Sequence, residues 1–286
     1  AAAAARGGGG GTRVAELVRQ SAPAPNVVEM MPGDVPKARK VELLQRANET
    51  ARARFRLAGE LVRLGLGKPS EAAVRQARAN YEQFRGRAVG DGFAKPLAVM
   101  LHLAGQTAEA VTFLQQTIQT LLPQERVRGD ELRLLLGMIA DQAPGGIGRV
   151  ALNQLVATGS NPDRQREALQ LLARASQPDN VRGVFRAELS RLVDAPVKHP
   201  ILESLLLFRA QVALAEKDYA PAERDARRLL DEYPGSPYRV HAFGVLTAAA
   251  WEQRRYRAAA DHARKARAAL APGPAQTDTE AAVQAR

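Results

Sequence analysis

Apolar residues recur along most of this chain at spacings of three and four positions, and no stretch alternates cleanly between apolar and polar residues. A spacing of three and four places side chains on one face of an α-helix, whereas strict alternation is typical of a strand. Glycine and proline interrupt the pattern at short intervals, where one helix should end or the next begin. The pattern predicts an all-α protein of about twelve helices.

The short breaks between successive helices indicate that neighbouring helices pair as helix-turn-helix hairpins. The predicted pairs are 41–64 with 70–85, 94–104 with 107–121, 130–142 with 147–158, 163–176 with 180–193, 201–215 with 220–232, and 238–252 with 256–270. Since a single hairpin cannot bury its apolar face alone, the hairpins are expected to stack into one repeat domain over 37–272.

Both ends of the chain lack this strong helical pattern. Residues 1–11 read AAAAARGGGGG, a short helix could form over 12–20, and four prolines lie within 21–36. We therefore expect a flexible leader over 1–36 and a disordered tail over 273–286. The chain begins with Ala1 and not with methionine. A trimmed signal peptide and an arbitrary boundary would both produce such a start.

The clearest internal repeat lies near the C-terminal end. KDYAPAERDARRLLDEYP, over 217–234, resembles RRYRAAADHARKARAALAP, over 254–272, at an offset of 37 residues. The aligned positions are Tyr219, Ala222, Ala226 and Leu229 with Tyr256, Ala259, Ala263 and Ala266. A segment over 104–123 has the same shape, with Ala110 at the place of Ala222. Self-similarity at this period is typical of helical repeat proteins.

These residues resemble the tetratricopeptide repeat, in which a small residue lies at the close crossing of two helices and a proline ends the unit. The small residues here are Ala110, Ala222 and Ala259, and the closing prolines are Pro123, Pro234 and Pro272. The resemblance is good over 201–272 and fair over 93–123, and over 130–193 only the helix-turn-helix rhythm survives. It implies a right-handed α-solenoid of about six hairpins.

The connection LLDEYPGSPYRVHAF, over 229–243, together with the period of 37 residues, resembles bacterial cell-envelope repeat proteins. These include the Tol-Pal-associated coordinator and the outer-membrane assembly lipoprotein types. The resemblance implies a periplasmic or envelope location, with the cytoplasm as the alternative. A lipoprotein would also need an N-terminal cysteine, and this chain has no cysteine.

The formal net charge of +11 invites a nucleic-acid interpretation. Only seven of the 41 basic residues are lysines, and the arginines are spread along the chain instead of massed in one block. Dispersed arginines are typical of solvated helix faces, whose aliphatic stems cover the surface. Nucleic-acid binding therefore stays the alternative, and it would require the arginines to converge on one face.

No pattern of catalytic residues appears. The four histidines lie on different helices or linkers, without the spacing of a metal-binding helix, and no nucleotide-binding or nucleophile motif occurs. We therefore predict neither an enzyme nor a cofactor or metal site. The prediction is a protein-protein interaction scaffold or, as an alternative, a docking domain of a larger protein.

The tetratricopeptide resemblance implies that the first helices of successive hairpins line a concave groove for a protein or peptide ligand. The predicted contacts are Lys95, Val99, His102, Ser204, Leu207, Gln211, His241, Ala248 and Trp251. Trp251 is the only tryptophan of the chain. It is predicted either to anchor the ligand or to pack against the preceding hairpin.

Overall fold

A computed structural model describes residues 7–22, 36–84, 93–121, 123–140 and 144–270, and these ranges contain helices and no strand. The all-α prediction is confirmed. The thirteen α-helices are α1 (Gly7–Arg19), α2 (Lys37–Arg63), α3 (Glu71–Phe84), α4 (Ala94–Leu103), α5 (Thr107–Gln119), α6 (Arg126–Ile139), α7 (Ile147–Thr158), α8 (Pro162–Ala175), α9 (Asp179–Val193), α10 (Leu202–Ala215), α11 (Tyr219–Glu232), α12 (Arg239–Glu252) and α13 (Tyr256–Leu270).

Four of the six predicted hairpins are closely packed helix pairs: α4 with α5, α6 with α7, α10 with α11, and α12 with α13. The pairing of α2 with α3 is replaced by α1, which packs against both of these helices. The helices α8 and α9 are also not closely packed against each other, and α9 packs against α10 instead. Within each unit, neighbouring helices therefore pack in a repeat-like way, with two departures from the predicted pairing.

The chain divides into two compact units, residues 1–161 and 162–286. The first unit contains α1–α7 and the second contains α8–α13. The sequence predicted one continuous repeat domain over 37–272, so the boundary between 161 and 162 is a difference from that prediction. The stacking of all hairpins into a single right-handed solenoid stays a prediction.

The predicted flexible leader is wrong over residues 7–22, because α1 is part of the core of the first unit. Val14 and Val18 are fully buried, and Leu17 is 6% exposed. These apolar side chains follow the three- and four-residue spacing of one helix face, and their burial stabilises the helix. Residues 1–6 and 23–35 of the predicted leader, and the predicted tail over 273–286, lie outside the described residues.

Polar contacts and a close backbone approach fix α1 in place. The Asn80 side chain of α3 is fully buried, and its Nδ2 donates to the Val18 carbonyl at 3.0 Å and to Ser21 Oγ at 2.9 Å. A Cβ atom on Gly10 would overlap the Leu66 carbonyl. Gly10, which belongs to the glycine run of the predicted leader, is therefore a position of close backbone contact.

The same helix-ending turn occurs four times. The residue with positive φ is Gly65 (70°), Gly105 (87°), Lys217 (60°) or Arg254 (59°). The N–H of the residue after it donates to the carbonyl five positions back, at 2.8–2.9 Å. This is the Schellman arrangement, in which a left-handed residue lets the chain leave the helix with its last carbonyls paired. Lys217 and Arg254 lie 37 positions apart, so the turn reproduces the period found in the sequence.

Lys217→Gly and Arg254→Gly are expected to stabilise the second unit by about 0.5 kcal/mol each. A side chain in the left-handed region costs about 1–2 kcal/mol, and the greater freedom of glycine in the unfolded chain offsets part of the gain. Thermal unfolding followed by circular dichroism measures the change. Lys217→Ala is the control, since it removes the charge but keeps Cβ. Equal melting temperatures for the glycine and alanine variants would contradict the left-handed assignment.

Small residues lie where the helices of a hairpin approach closely. Ala110 and Ala222 are fully buried, and Ala259 is 3% exposed. At the crossing of α6 and α7, a Cβ atom on Gly137 would overlap the Leu152 side chain. The predicted small positions are therefore buried packing positions, as a close helix crossing requires.

Candidate protein-binding surface

The nine residues predicted to line a groove are divided between the two units. Lys95, Val99 and His102 belong to α4 in the first unit, and the other six belong to α10 and α12 in the second. Lys95 is exposed, while Val99 and His102 are half-buried. The ring nitrogen Nδ1 of His102 lies 3.0 Å from Thr107 Oγ1, so this histidine has a partner within its own hairpin.

Two of the predicted contacts in α10 are wrong. Ser204 is fully buried and Leu207 is 4% exposed, so neither side chain can meet a ligand. The physical reason is that α10 packs against α9, α11 and α12, and it carries buried residues nearly all the way round. Gln211, the third predicted contact of this helix, is half-buried.

The predicted contacts in α12 form an accessible stripe. His241 and Trp251 are exposed and Ala248 is half-buried. Gly244 lies between them, and a Cβ atom placed there would meet no other atom within 4 Å. Positions 241, 244, 248 and 251 follow helical spacing, so they share one side of α12 over a length of about 15 Å.

Trp251 pairs with an aromatic residue that the groove prediction does not include. Its ring lies against that of Tyr256, with centroids 5.1 Å apart and planes at 69°. Trp251 is 61% exposed and Tyr256 is 55% exposed. The predicted packing of Trp251 against the preceding hairpin is therefore wrong. The alignment of Tyr219 with Tyr256 could have indicated this pair from the sequence, because it places an aromatic residue directly after the turn.

Many of the described arginines pair with carboxylates one turn away on their own helix. Examples are Arg39 with Glu42 at 2.6 Å and Arg164 with Glu167 at 2.7 Å. Pairs of this kind neutralise charge locally and contribute little to stability. These local pairs therefore offset part of the basic charge of the chain.

Several ion pairs of the second unit join different helices. The Arg209 guanidinium of α10 contacts both carboxylate oxygens of Asp225 in α11, at 2.6 and 2.8 Å, and also Asp194 at 2.9 Å. Burial lowers the pKa of Arg209, but the hydrogen bonds and charges of the two aspartates outweigh burial and raise the pKa overall. This arginine stays charged and links three consecutive elements, which is a structural role.

A second type of inter-helix contact occurs twice, with its charges reversed. Arg186 of α9 contacts Glu216 at 2.6 Å and Asp218 at 2.5 Å, and both acids flank the turn after α10. One repeat later, Glu223 of α11 pairs with Arg255 and accepts a hydrogen bond from Gln253 at 3.0 Å. Glu223, Gln253 and Arg255 lie 37 positions after Arg186, Glu216 and Asp218, respectively. At the first of these two junctions an arginine faces two acids, and at the next junction a glutamate faces an arginine.

Within the described ranges, no cluster of three or more histidine, cysteine, aspartate or glutamate side chains could hold a metal ion. None of the described helices is both long and apolar enough to cross a membrane.

Comparisons with protein-family models, curated proteins and solved structures found no match to this chain. The tetratricopeptide resemblance therefore rests on the repeat within the chain itself. The structural features that support this repeat are the four similar turns and the buried alanines that follow three of them.

Proposed function

We propose that this protein is a non-catalytic scaffold of the tetratricopeptide type that binds another protein through the exposed side of α12. The observation that carries the proposal is the solvent-exposed pair of Trp251 and Tyr256 at the end of an open helical stripe. Large aromatic side chains are enriched in protein interfaces and at the residues that dominate binding energy. An aromatic pair held at a helix junction also loses little conformational freedom on binding.

The proposed ligand is a peptide segment or helix with an apolar side chain for the aromatic pair. Gly244 and Ala248 present little side-chain bulk, so a ligand backbone can approach α12 closely between His241 and Trp251. Gln211 of α10 is the polar contact one repeat earlier. The contacts predicted for α4 in the first unit stay a separate prediction.

A bacterial cell-envelope location is also part of the proposal. It rests on the connection over 229–243 and on the period of 37 residues. A docking domain of a larger protein would use the same surface. Nucleic-acid binding is less favoured, because the arginines are spread along the chain and many of them pair with carboxylates on their own helices.

The double variant Trp251→Ser/Tyr256→Ser is expected to weaken partner binding by about tenfold or more while leaving the helical signal unchanged. Partners are first captured with a photo-crosslinking amino acid at position 244, and the affinity of the purified partner is then measured by titration. Val184→Ser is the control, because Val184 is 54% exposed in α9 of the same unit. Undiminished affinity of the folded double variant would show that the ligand uses another surface.

A further inference from the structure

A groove of about 570 Å³ lies within the second unit, between α11 and α13, with α12 contributing to its wall. Its apolar part includes Leu230, Phe243 and Leu246. Leu246 is buried, and the other two side chains are half-buried. The volume is in the range of clefts that bind ligands, and the apolar surface can cover aliphatic side chains.

Basic side chains line the same groove. Arg227, Arg239 and Lys265 contribute three positive charges, and Asp231 contributes one negative charge. Within the part of the chain that the structure describes, Arg239 and Lys265 make no ion pair. Arg227 lies 2.6 Å from Glu223, a carboxylate that also pairs with Arg255. The groove therefore keeps an uncompensated positive charge.

A histidine within the groove experiences this positive charge. Burial lowers the pKa of His262, and the charges of Lys265 and Arg227 lower it further, against an opposing contribution from Asp261. Its Nδ1 is buried, without a hydrogen-bond partner in the described ranges. A donor from a ligand could pair with this nitrogen, while the neighbouring cations favour anionic groups.

The groove is distinct from the aromatic stripe. Arg239, Phe243 and Leu246 follow the spacing of one helix face, and at 3.6 residues per turn this face is opposite to that of Gly244 and Ala248. The two surfaces therefore lie on opposite sides of α12. Substitutions in one surface leave the contacts of the other unchanged, so their functions can be tested separately.

We propose that this groove binds an acidic amphipathic segment of a partner protein. Apolar side chains of the segment contact Leu230, Phe243 and Leu246, and its carboxylates pair with Arg239 and Lys265. Charge complementarity selects this occupant, because the free cations need anions and the apolar floor needs aliphatic groups. A simple phosphate or a nucleic-acid backbone would satisfy only the cations.

The probe is a fluorescein-labelled amphipathic peptide of leucine and glutamate, and binding to the full chain is measured by fluorescence anisotropy. We expect saturable binding, which Arg239→Ser/Lys265→Ser weakens by about tenfold or more. Phe243→Ser should also weaken it. The matched control is Arg257→Ser/Arg267→Ser, which removes the same charge from exposed positions of α13 outside the groove. This control should bind the peptide as the unaltered protein does.

Five outcomes would overturn the proposal. Equal weakening by the two double variants would show attraction by total charge alone. Equal binding of a serine-glutamate peptide, or of a single-stranded oligonucleotide at the same residues, would show a simple anion site. Binding only after removal of residues 271–286 would identify that segment as the occupant. Self-association in sedimentation that the Arg239→Ser/Lys265→Ser variant abolishes would identify a second copy.

The test is independent of the proposed function. The Trp251→Ser/Tyr256→Ser variant should bind the leucine-glutamate peptide with unchanged affinity, because its substitutions lie outside the groove. Loss of peptide binding in that variant would place the peptide on the aromatic stripe and would overturn the groove assignment.

Discussion

Deletion of residues 1–22 is expected to destabilise the first unit by about 3 kcal/mol. Three buried side chains, Val14, Leu17 and Val18, would leave the core, and each contributes about 1.5–3 kcal/mol. The buried amide of Asn80 would also lose its partners, at a cost of about 1–3 kcal/mol. The entropy of ordering α1 offsets much of this sum. Thermal unfolding, together with hydrogen exchange over α3 and α4, measures the loss.

Two neighbouring glycines provide a sharper form of this test. In Gly10→Ala, the new methyl group collides with the Leu66 carbonyl, whereas in Gly11→Ala it would lie 3.5 Å from the Lys68 carbonyl. Both variants gain the same helix propensity, so the difference between them isolates the docking of α1. Gly10→Ala should destabilise the first unit and Gly11→Ala should not. Equal melting temperatures would contradict the docked position of α1.

Ala222→Trp is expected to destabilise the second unit by about 3 kcal/mol or more. Ala222 is fully buried at the start of α11, where this helix crosses α10. A larger side chain there requires the two helices to separate. Overpacking of this kind costs free energy, because the surrounding structure can adjust only in part. Ala259→Trp, at the same position one repeat later, should have a similar effect. Chemical denaturation followed by circular dichroism gives the free energy of unfolding.

The matched control for this substitution is Ala220→Trp. Ala220 is exposed on the same helix, two positions before Ala222, so the variant adds the same side chain at a position with free space. Its stability should remain within about 0.5 kcal/mol of the unaltered protein. A similar loss for both variants would show that the assigned repeat positions are incorrect.

The limits of most helices could be predicted from the sequence. The predicted helix over 220–232 corresponds to Tyr219–Glu232, and the predicted helix over 94–104 corresponds to Ala94–Leu103. These limits depend on local chemistry, because proline and glycine act within one turn of their own position. The buried alanines were predictable for the same reason, since they recur with the turn.

The structural role of α1 was not predictable from local sequence. A run of five glycines has low helix propensity and resembles a linker. Its fit depends on the Leu66 carbonyl, which lies more than fifty positions away along the chain. The replacement of the α2–α3 pairing by α1 has the same cause, because a short loop between two helices does not decide which neighbours they bury against.

The exposure of the predicted contacts was predictable in α12 but not in α10. The predicted contacts follow three- and four-residue spacing in both helices. Alignment at an offset of 37 residues makes Leu207 equivalent to Gly244. In α10, apolar residues surround the whole helix, so periodicity indicates no exposed side. The exposure of a side chain in α10 depends on how many other helices pack around this helix. The pair of Trp251 and Tyr256 likewise depends on the turn at Arg254, which places the end of one helix beside the start of the next.

The reversed charges at the junctions of the second unit make its hairpins non-interchangeable. Loss of one period of 37 residues, over 195–231, would place Arg186 against Arg255 and would put Gln253 where Glu216 now lies. Two guanidinium groups would then repel each other, and neither would have its carboxylate. Duplication or shuffling of single hairpins is therefore penalised, although the apolar faces of these repeats are similar. Each hairpin is matched to its neighbour by charge, and this matching fixes their order along the chain.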